Sequence, residues 1–449
     1  MTRDLTQGKP ISQLIAFSIP ILLGNLFQQV YNLVDSVIVG QFVNKEALAA
    51  VGSTGSLNFL IIGFVLGTSS GLCIPIAQRV GAKDISGVRK RMATAIYIAV
   101  AICTVLTVIT VLKVEDLLIW MQTPEETFDY ALTYIRIIFI GIGVTMVYNL
   151  LANILRALGD SKTPLYFLII SSVLNVILDL IFVIVFHMGV AGAAIATVLS
   201  QAVSGILCIF YFIKKYPQLR FQQGELKPDF RDIRRSFSIG TPMGFQFSIT
   251  AIGAVVLQRA VNGLGTDVVA SVTASSKVQM IINQPMEALG LSMATFCGQN
   301  LGAHRIDRIK EGVRKGTIFV LTTGVVLFLL NITVGQYMSL LFLKKSDYYL
   351  LENIRPFMFI NGVFFPLLGL LLVLRNALQG FGFSFIAMGA GIFEMVARAF
   401  VAFSLIGAFG FTAVCFANPA AWIAADIILV PMYLYGIRKI SQTNVSHII

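Results

Sequence analysis

The sequence predicts an all-α polytopic membrane protein, with about 12 transmembrane helices in two pseudo-symmetric six-helix lobes. Three observations carry that expectation. The 449-residue chain is 57% hydrophobic and only 12% charged, with a mean hydropathy of +0.83, far from the balance of soluble domains. Its apolar stretches reach the roughly 20 residues that cross a bilayer and follow one another in series. Finally, the chain matches itself at a nearly constant offset of about 222 residues.

The spans fall near 11–41, 46–75, 91–113, 128–153, 164–187 and 190–213, then 236–263, 268–298, 314–341, 355–377, 384–408 and 411–436. The first begins at about Ile11 and runs past Pro20 with no small-residue cleavage site, so it is read as retained. Four matches in order relate the halves. FSIPILLGN (17–25) aligns with SIGTPMGFQF (238–247), setting Pro20 against Pro242, and LAAVGSTGS (48–56) aligns with VASVTASSK (269–277). IAQRVGAKD (76–84) and CGQNLGAHR (297–305) share Gln-x-x-Gly-Ala, and LRALGDS (155–161) matches LQGFGFS (378–384). Residues 1–213 therefore form an N-terminal lobe, 214–235 a basic linker with Pro217 and Pro228, and 236–449 a C-terminal lobe in parallel orientation.

Local signals mark the span ends. Thr163-Pro164 reads as an N-cap followed by Pro at the first helical position, and Thr123-Pro124-Glu125-Glu126 reads the same way before the fourth span. Asp84 is expected to cap a short amphipathic helix carrying Val88, Arg89 and Met92. Pro20, Pro242, Pro366 and Pro431 lie within or near the ends of spans, where each removes a donor and bends its helix or serves as a moving hinge.

A net charge of +11 invites a nucleic-acid reading, which the distribution rejects. Basic residues cluster in alternate connections: Arg79 to Arg91, Lys214 to Arg235, and Arg305 to Lys315. The intervening connections hold few cations, such as Lys45, Lys113, Lys344 and Lys345, beside acids such as Glu115, Asp116, Glu125 and Asp347. That is the positive-inside pattern of an integral inner or plasma membrane protein with both termini cytoplasmic. Five scattered cysteines and three histidines (His187, His304, His447), with no CxxC, argue against a disulfide framework or a structural zinc site.

Two acids stand inside apolar stretches. Asp35 lies near the end of GNLFQQVYNLVDSVIVG, and Asp179 follows Asn175 by one helical turn in SSVLNVILDLIFVI, on the same face. A charge at mid-bilayer costs about 2.5–3.5 kcal/mol on the insertion scale, so such residues face a water-filled interior, hold a cation or relay a proton. Counting along the spans sets Asp35, Asp179 and Thr197 at a similar depth, roughly 9–12 Å below the outer surface at 1.5 Å per residue. Two carboxylates, an amide and a hydroxyl form a hard-oxygen set suited to Na⁺ or to a shared proton. The static alternative is an acid satisfied by a neighbouring amide or hydroxyl.

With these residues in place, the chain resembles the multidrug and toxic compound extrusion (MATE) transporters over nearly its whole length, in the prokaryotic branch whose acids lie in the N-terminal lobe. The resemblance implies that Asp35, Asn175, Asp179 and Thr197 surround the Na⁺ or H⁺ site, with Tyr31 and Asn153 lining the same lobe. It implies no cofactor beyond that coupling ion and a small-molecule substrate; a monomer in membrane lipid is expected, since two lobes already close a pseudo-symmetric cavity. The expected function is a secondary active antiporter that exports organic cations or amphipathic compounds in exchange for Na⁺ or H⁺ by alternating access. Gln28, Tyr31, Asn149, Asn153, Gln246 and Lys277 are the candidate substrate-cavity contacts.

The chain departs from the branch with a C-terminal-lobe ion site. Gln246 stands where that branch has a Glu, and residues 357–378 contain no Asp. That lobe instead carries Lys277, Glu287, Glu394, Arg398 and Asp426. Glu394 and Arg398, spaced i,i+4, are expected to neutralise each other, whereas Lys277 and Glu287 stand ten residues, about three turns, apart, which argues against a pair. A flippase or exporter of a lipid-linked or specific metabolite substrate shares the same plan, but the pyrophosphate it holds calls for a cationic cavity. An enzyme would need an acid-rich metal motif, HExxH or GxSxG, none of which occurs.

Overall fold

Apolar runs too long for a soluble core become helices because a backbone in hydrocarbon must satisfy its own hydrogen bonds. A computed structural model describes residues 3–343 and 345–442; Lys344 and His447, weighed above, lie outside them. The first half comprises α1 (Pro10–Phe42), α2 (Lys45–Leu72), α3 (Ile74–Gly81), α4 (Ile85–Trp120), α5 (Glu125–Ile140), α6 (Ile142–Ala157), α7 (Lys162–Asp179) and α8 (Gly189–Lys215). The second comprises α9 (Phe230–Asn262), α10 (Thr266–Ile282), α11 (Gln284–Gly302), α12 (Ile306–Leu330), the single turn α13 (Gln336–Met338), α14 (Leu351–Val363), α15 (Phe365–Gly380), α16 (Ser384–Phe400), the turn α17 (Ile406–Phe409) and α18 (Phe411–Gln442). Among the described residues nine helices are long and apolar enough to cross a membrane, and eleven if the bent pairs α5–α6 and α14–α15 each count as one span. The pair α10–α11, interrupted at Asn283, completes twelve rods.

The chain divides into two compact units. Unit 1 contains Arg3 and Leu23–Gly244; unit 2 contains Asp4–Leu22 and the chain from Phe245 onward. Each has its own apolar core. In unit 1 it gathers side chains such as Leu72, Ile76, Leu118, Ile135, Phe139 and Leu155. In unit 2 it gathers Phe17, Met293, Phe296, Val320, Phe365 and Leu374.

The repeat seen in the sequence has a structural counterpart in each unit. Lys83 and His304 both sit at φ 57°, in the turns that follow the Gly-Ala pairs, and Gly159 and Gly382 sit at φ 88° and 89°. At Gly159 a Cβ would also lie 2.0 Å from Arg3 O, so only glycine fits there. The shared glutamine of Gln-x-x-Gly-Ala anchors a segment at the start of each half. Gln78 accepts from Arg235 Nη2 (3.2 Å), and Gln299 Oε1 accepts from Leu5 N (3.2 Å). Arg308 completes the second anchor by donating to Gly8 O at 2.6 Å, Leu5 O at 3.1 Å and Gln7 O at 3.0 Å.

Helix breaks also recur. α5–α6 bends by 48° at Gly141, and α14–α15 bends by 47° at Phe364, just before Pro366. A Cβ on Gly141 would lie 2.5 Å from Val198 Cγ2, so the first bend exploits a close approach, whereas the second exploits the missing proline donor. The spans near 128–153 and 355–377, expected as single rods, are therefore each two helices. Pro20, Pro242 and Pro431 lie inside continuous helices.

Several local expectations need correction. Asp84 does cap a helix, its Oδ1 accepting from Gly87 N at 2.8 Å, but that helix is α4 itself, running 36 residues without a separate amphipathic piece. Thr163 is not the cap of α7. Asp160 takes that role, its Oδ1 accepting from Lys162 N (3.1 Å) and Thr163 N (3.0 Å) and its Oδ2 from the Thr163 hydroxyl (2.7 Å). A carboxylate holding several donors outcompetes a lone hydroxyl as a cap. Before α5 the cap position is Pro124 rather than Thr123, with no side-chain cap bond.

The basic connection is pinned rather than loose. Glu225 accepts from Arg89 Nε (2.6 Å) and Nη2 (2.7 Å), from Ser86 Oγ (3.0 Å) and from Gln222 N (3.1 Å). Arg89 Nη1 donates onward to Gln218 O at 2.8 Å. These bonds, led by the Arg89 fork, hold the Glu225 carboxyl down to about 2. An unfolded Glu titrates near 4.3, so the pinning is fully present above that pH and is lost as pH falls through the range between about 4 and 2. In wild type, amide-exchange protection of residues 217–229 should fall across that window. In Glu225→Gln it should be low already at pH 6 and flat below; equal protection in both proteins would show that the carboxylate does not hold the segment.

Candidate functional site

Within unit 1, α1, α5, α7 and α8 converge on the two intramembrane acids. Gln28, Tyr31 and Asp35 share one face of α1 at i, i+3 and i+7, and the Gln28 side chain hydrogen-bonds Tyr31. Asn175 and Asp179 close α7, 1% and 0% exposed. The Asp35 and Asp179 carboxyls lie within hydrogen-bond reach of each other. On α8, the Thr197 hydroxyl donates to Ala193 O at 3.0 Å and stands 3.5 Å from Asp35 Oδ2. Directly after Asp179 the helix widens into a π-turn, Leu180–Val185. Such insertions re-aim side chains and recur at functional sites.

The site is polar and under-satisfied. Asp35 Oδ1, both oxygens of Asp179, and both polar atoms of Asn175 are buried with no hydrogen-bond partner, and no arginine or lysine pairs with either acid among the described residues. Unpaired buried groups of this kind cost several kcal/mol. Two adjacent carboxylates repel, at about 4 kcal/mol for unit charges 4 Å apart at an effective dielectric of 20. A proton shared between Asp35 and Asp179 removes the repulsion. A desolvated Na⁺ taking oxygens of Asp35, Asn175, Asp179 and Thr197 does the same, and the hard-oxygen donor set fits either species.

The phenol of Tyr134 on α5 faces Asp35, Tyr31 and Asp179 and escaped the sequence analysis, since one tyrosine in an apolar span carries no signal of its own. Arg156 was also missed: its Nη1 donates to Asn153 Oδ1 at 2.8 Å. The remaining cavity candidates divide. Asn153 is tied to Arg156 and, through Nδ2, to Ser69 Oγ at 3.2 Å, while Asn149 donates to Thr145 O at 2.8 Å. Gln246 is buried, its Oε1 accepting from Gln379 Nε2 at 2.6 Å. A buried amide finds its complement, and here that complement is another amide on α15. Lys277 is exposed into a cavity.

Unit 2 treats its charges differently. Arg375 on α15 hydrogen-bonds Glu394, whose other oxygen is 3.7 Å from Arg398 Nη2. Glu287 and Asp426 also face Arg375, and both Asp426 oxygens are buried without a hydrogen bond. The expected Glu394–Arg398 pair is therefore present, but its shorter partner is Arg375, which the sequence did not single out. Lys277 and Glu287 do not pair among the described residues: Glu287 faces Arg375, and the Lys277 ammonium lies 5.3 Å from the Phe342 ring centroid.

The MatE family model matches residues 20–181 and 242–404. A relative from Bacillus subtilis (strain 168), the probable multidrug resistance protein YpnP, is 32% identical over 348 residues, 77% of each chain. Two solved structures share the fold at 21% identity. One is the outward-facing conformation of a multidrug resistance MATE family transporter of the MOP superfamily, with TM-score 0.89 over 98% of this chain and 97% of that one. The other is a MOP superfamily transporter from Pyrococcus furiosus, described as having a binding pocket of reverse polarity, with TM-score 0.88 over the same shares.

The buried cluster of unit 2 can be tested through stability. Arg375→Met strands three carboxylates without their shared cation and should cost about 3–5 kcal/mol, read as a lowered thermal transition of the detergent-solubilised protein. Adding Glu394→Met should restore at least half of that loss. A double variant as unstable as the sum of the singles would mean that the two side chains do not act as a pair.

Proposed function

Since the chain belongs to the MatE family, we propose that it is a multidrug exporter of the cell membrane, working as a secondary active antiporter that exchanges organic cations or amphipathic compounds for Na⁺ or H⁺. The observation that carries this reading is the pair Asp35–Asp179, two carboxyls in mutual reach with unpartnered oxygens and no internal cation. The relatives' names point the same way: multidrug resistance in Bacillus subtilis and multidrug export in Staphylococcus haemolyticus.

The mechanism follows from electrostatics. Loaded with a proton or Na⁺, Asp35 on α1 and Asp179 on α7 attract a common cation and draw their helices together. Emptied, they repel and the helices separate. An ion that binds one arrangement better shifts the population toward it, and an ion gradient makes the shift directional, which is alternating access. Thr197 and Asn175 supply neutral oxygens that stabilise Na⁺ without adding charge. Tyr31 and Tyr134 place phenols near the acids and donate to whichever oxygen the ion leaves free. The basic connections are placed in the cytoplasm with both termini, following the positive-inside distribution. The acidic character of the site disfavours a pyrophosphate-bearing lipid as cargo.

The test is efflux of a fluorescent organic cation from proteoliposomes under an imposed Na⁺ gradient at symmetric pH, or a pH gradient without Na⁺. Wild type should respond to one of them. Asp35→Asn and Asp179→Asn, which keep side-chain size and remove the charge, should each lower gradient-driven efflux by about tenfold or more, the scale of losing about 1.4 kcal/mol of coupling. Transport at wild-type rates in both variants would make the acids structural and overturn the mechanism.

A further inference from the structure

We infer that unit 2 carries a ligand site of opposite polarity, in which Lys277 is the counter-ion for the carboxylate of an amphipathic substrate; the inference rests on the transport reading above and narrows its substrate class. The site is a cavity of about 560 Å³, within the few-hundred-to-thousand range of small-molecule pockets. One wall is a single face of α10, where Thr266, Thr273 and Lys277 recur at helical spacing. Phe342 and Leu343 form the facing wall, and Asn262 closes the end near the α9–α10 turn.

The charge balance selects the ligand. None of the lining residues is acidic, and among the described residues Lys277 makes no ion pair and no side-chain hydrogen bond. Its partner is the face of Phe342, 5.3 Å from ammonium to ring centroid. A cation–π contact is worth about 0.5–2 kcal/mol and leaves the three ammonium donors unused. Lys277 also lies eleven positions into α10, about 16 Å along the helix axis from its start, too deep for the ammonium to reach the helix end by extending its stem. An exposed ammonium lining a cavity that holds no carboxylate is free to take a ligand's acid group.

A ligand carboxylate supplies what the protein leaves out. It would take the Lys277 donors in a charge-assisted bond, while the Thr273 and Thr266 hydroxyls stand along the same face for further polar contacts. The aromatic and aliphatic remainder of the ligand would rest on Phe342, Leu343 and the small residues of α10. The site therefore takes a molecule with an apolar body and one acidic group, either an amphipathic anion or a zwitterion. A simple organic cation would bind there through its apolar body alone, without that charge-assisted bond.

The experiment uses two forms of one fluorescent xanthene dye, the free carboxylate and its methyl ester, which differ at the group Lys277 is assigned to hold. Binding to the purified full-length protein is read by fluorescence anisotropy. Wild type should bind the carboxylate more tightly than the ester. Lys277→Gln should weaken the carboxylate by about tenfold or more, as for a truncated buried charge pair, and leave the ester within about twofold. Lys277→Arg should keep the preference. Unchanged ester binding by Lys277→Gln shows that the variant is folded. Carboxylate binding that is indifferent to Lys277→Gln, or a wild type that binds neither dye or both equally, overturns the inference. Efflux of the ester with and without Asp179→Asn, run in parallel, reads the transport mechanism separately: a Lys277-dependent carboxylate site in a protein that no gradient drives would sink the antiport reading and leave the site standing.

Discussion

Two carboxyl groups within hydrogen-bond reach inside an apolar bundle cannot both keep their charge unless a cation or proton lies between them. Much of unit 1 follows from that constraint. α1 and α7 bring Asp35 and Asp179 within reach of each other, and α8 presents Thr197 beside them. The backbone after Asp179 opens into a π-turn, Leu180–Val185, rather than continuing as a tight helix. Unit 2 faces the same problem and solves it with covalently attached cations. Arg375 and Arg398 stand among Glu287, Glu394 and Asp426, so those carboxylates have guanidinium neighbours where Asp35 and Asp179 have none. An acid already facing its own guanidinium has little to gain from an ion in solution. The acid pair without a guanidinium neighbour is the one left open to an external cation.

The repeat conserves shape where it does not conserve chemistry. Gly141 and Phe364–Pro366 produce bends of 48° and 47° by different means: a close helix approach in one case, a missing backbone donor in the other. The π-turn Val401–Leu405 follows α16 as Leu180–Val185 follows α7, yet only Leu180–Val185 adjoins a carboxylate pair. Backbone geometry of this kind is inherited with the helix plan, and function is placed upon it by a few side chains. Gln78 and Gln299 are the clearest shared residues, and both are structural: Gln78 holds Arg235 and Gln299 holds Leu5, each in a segment that leads into the other half.

What the sequence disclosed, and what it hid, follows from the range of each interaction. The spans were legible because hydropathy is local. Asp35 and the Asn175–Asp179 pair were legible because a charge in an apolar run is conspicuous and an i,i+4 spacing fixes the face. Glu394 and Arg398 were legible for the same reason, but the stronger partner, Arg375, comes from another helix and no spacing announces it. Tyr134 was invisible because its meaning is a tertiary contact. The partner of Gln246, Gln379, was hidden because it comes from another helix. The caps failed on competition, Asp160 taking the donors that Thr163 was expected to serve.

The opposite polarities of the two sites bear on how an exporter could exchange unlike cargoes. If ion and substrate met the same carboxylates, exchange would be competition, and every substrate would have to be a cation. A carboxylate held at Lys277 does not compete with an ion held at Asp35 and Asp179. Coupling must then arise because each ligand prefers a different arrangement of the helices that hold it. A ligand that binds two arrangements equally shifts neither, however tightly it binds. Reversing a population from 1:99 to 99:1 takes about 5.5 kcal/mol of differential affinity. The repulsion between two bare carboxylates, about 4 kcal/mol at 4 Å and moderate dielectric, is of that order. One ion in unit 1 can therefore supply most of the bias, and the substrate site need only discriminate modestly. That leaves room for a pocket of threonines, small residues and one aromatic ring to accept many skeletons, provided each brings the charge that Lys277 lacks.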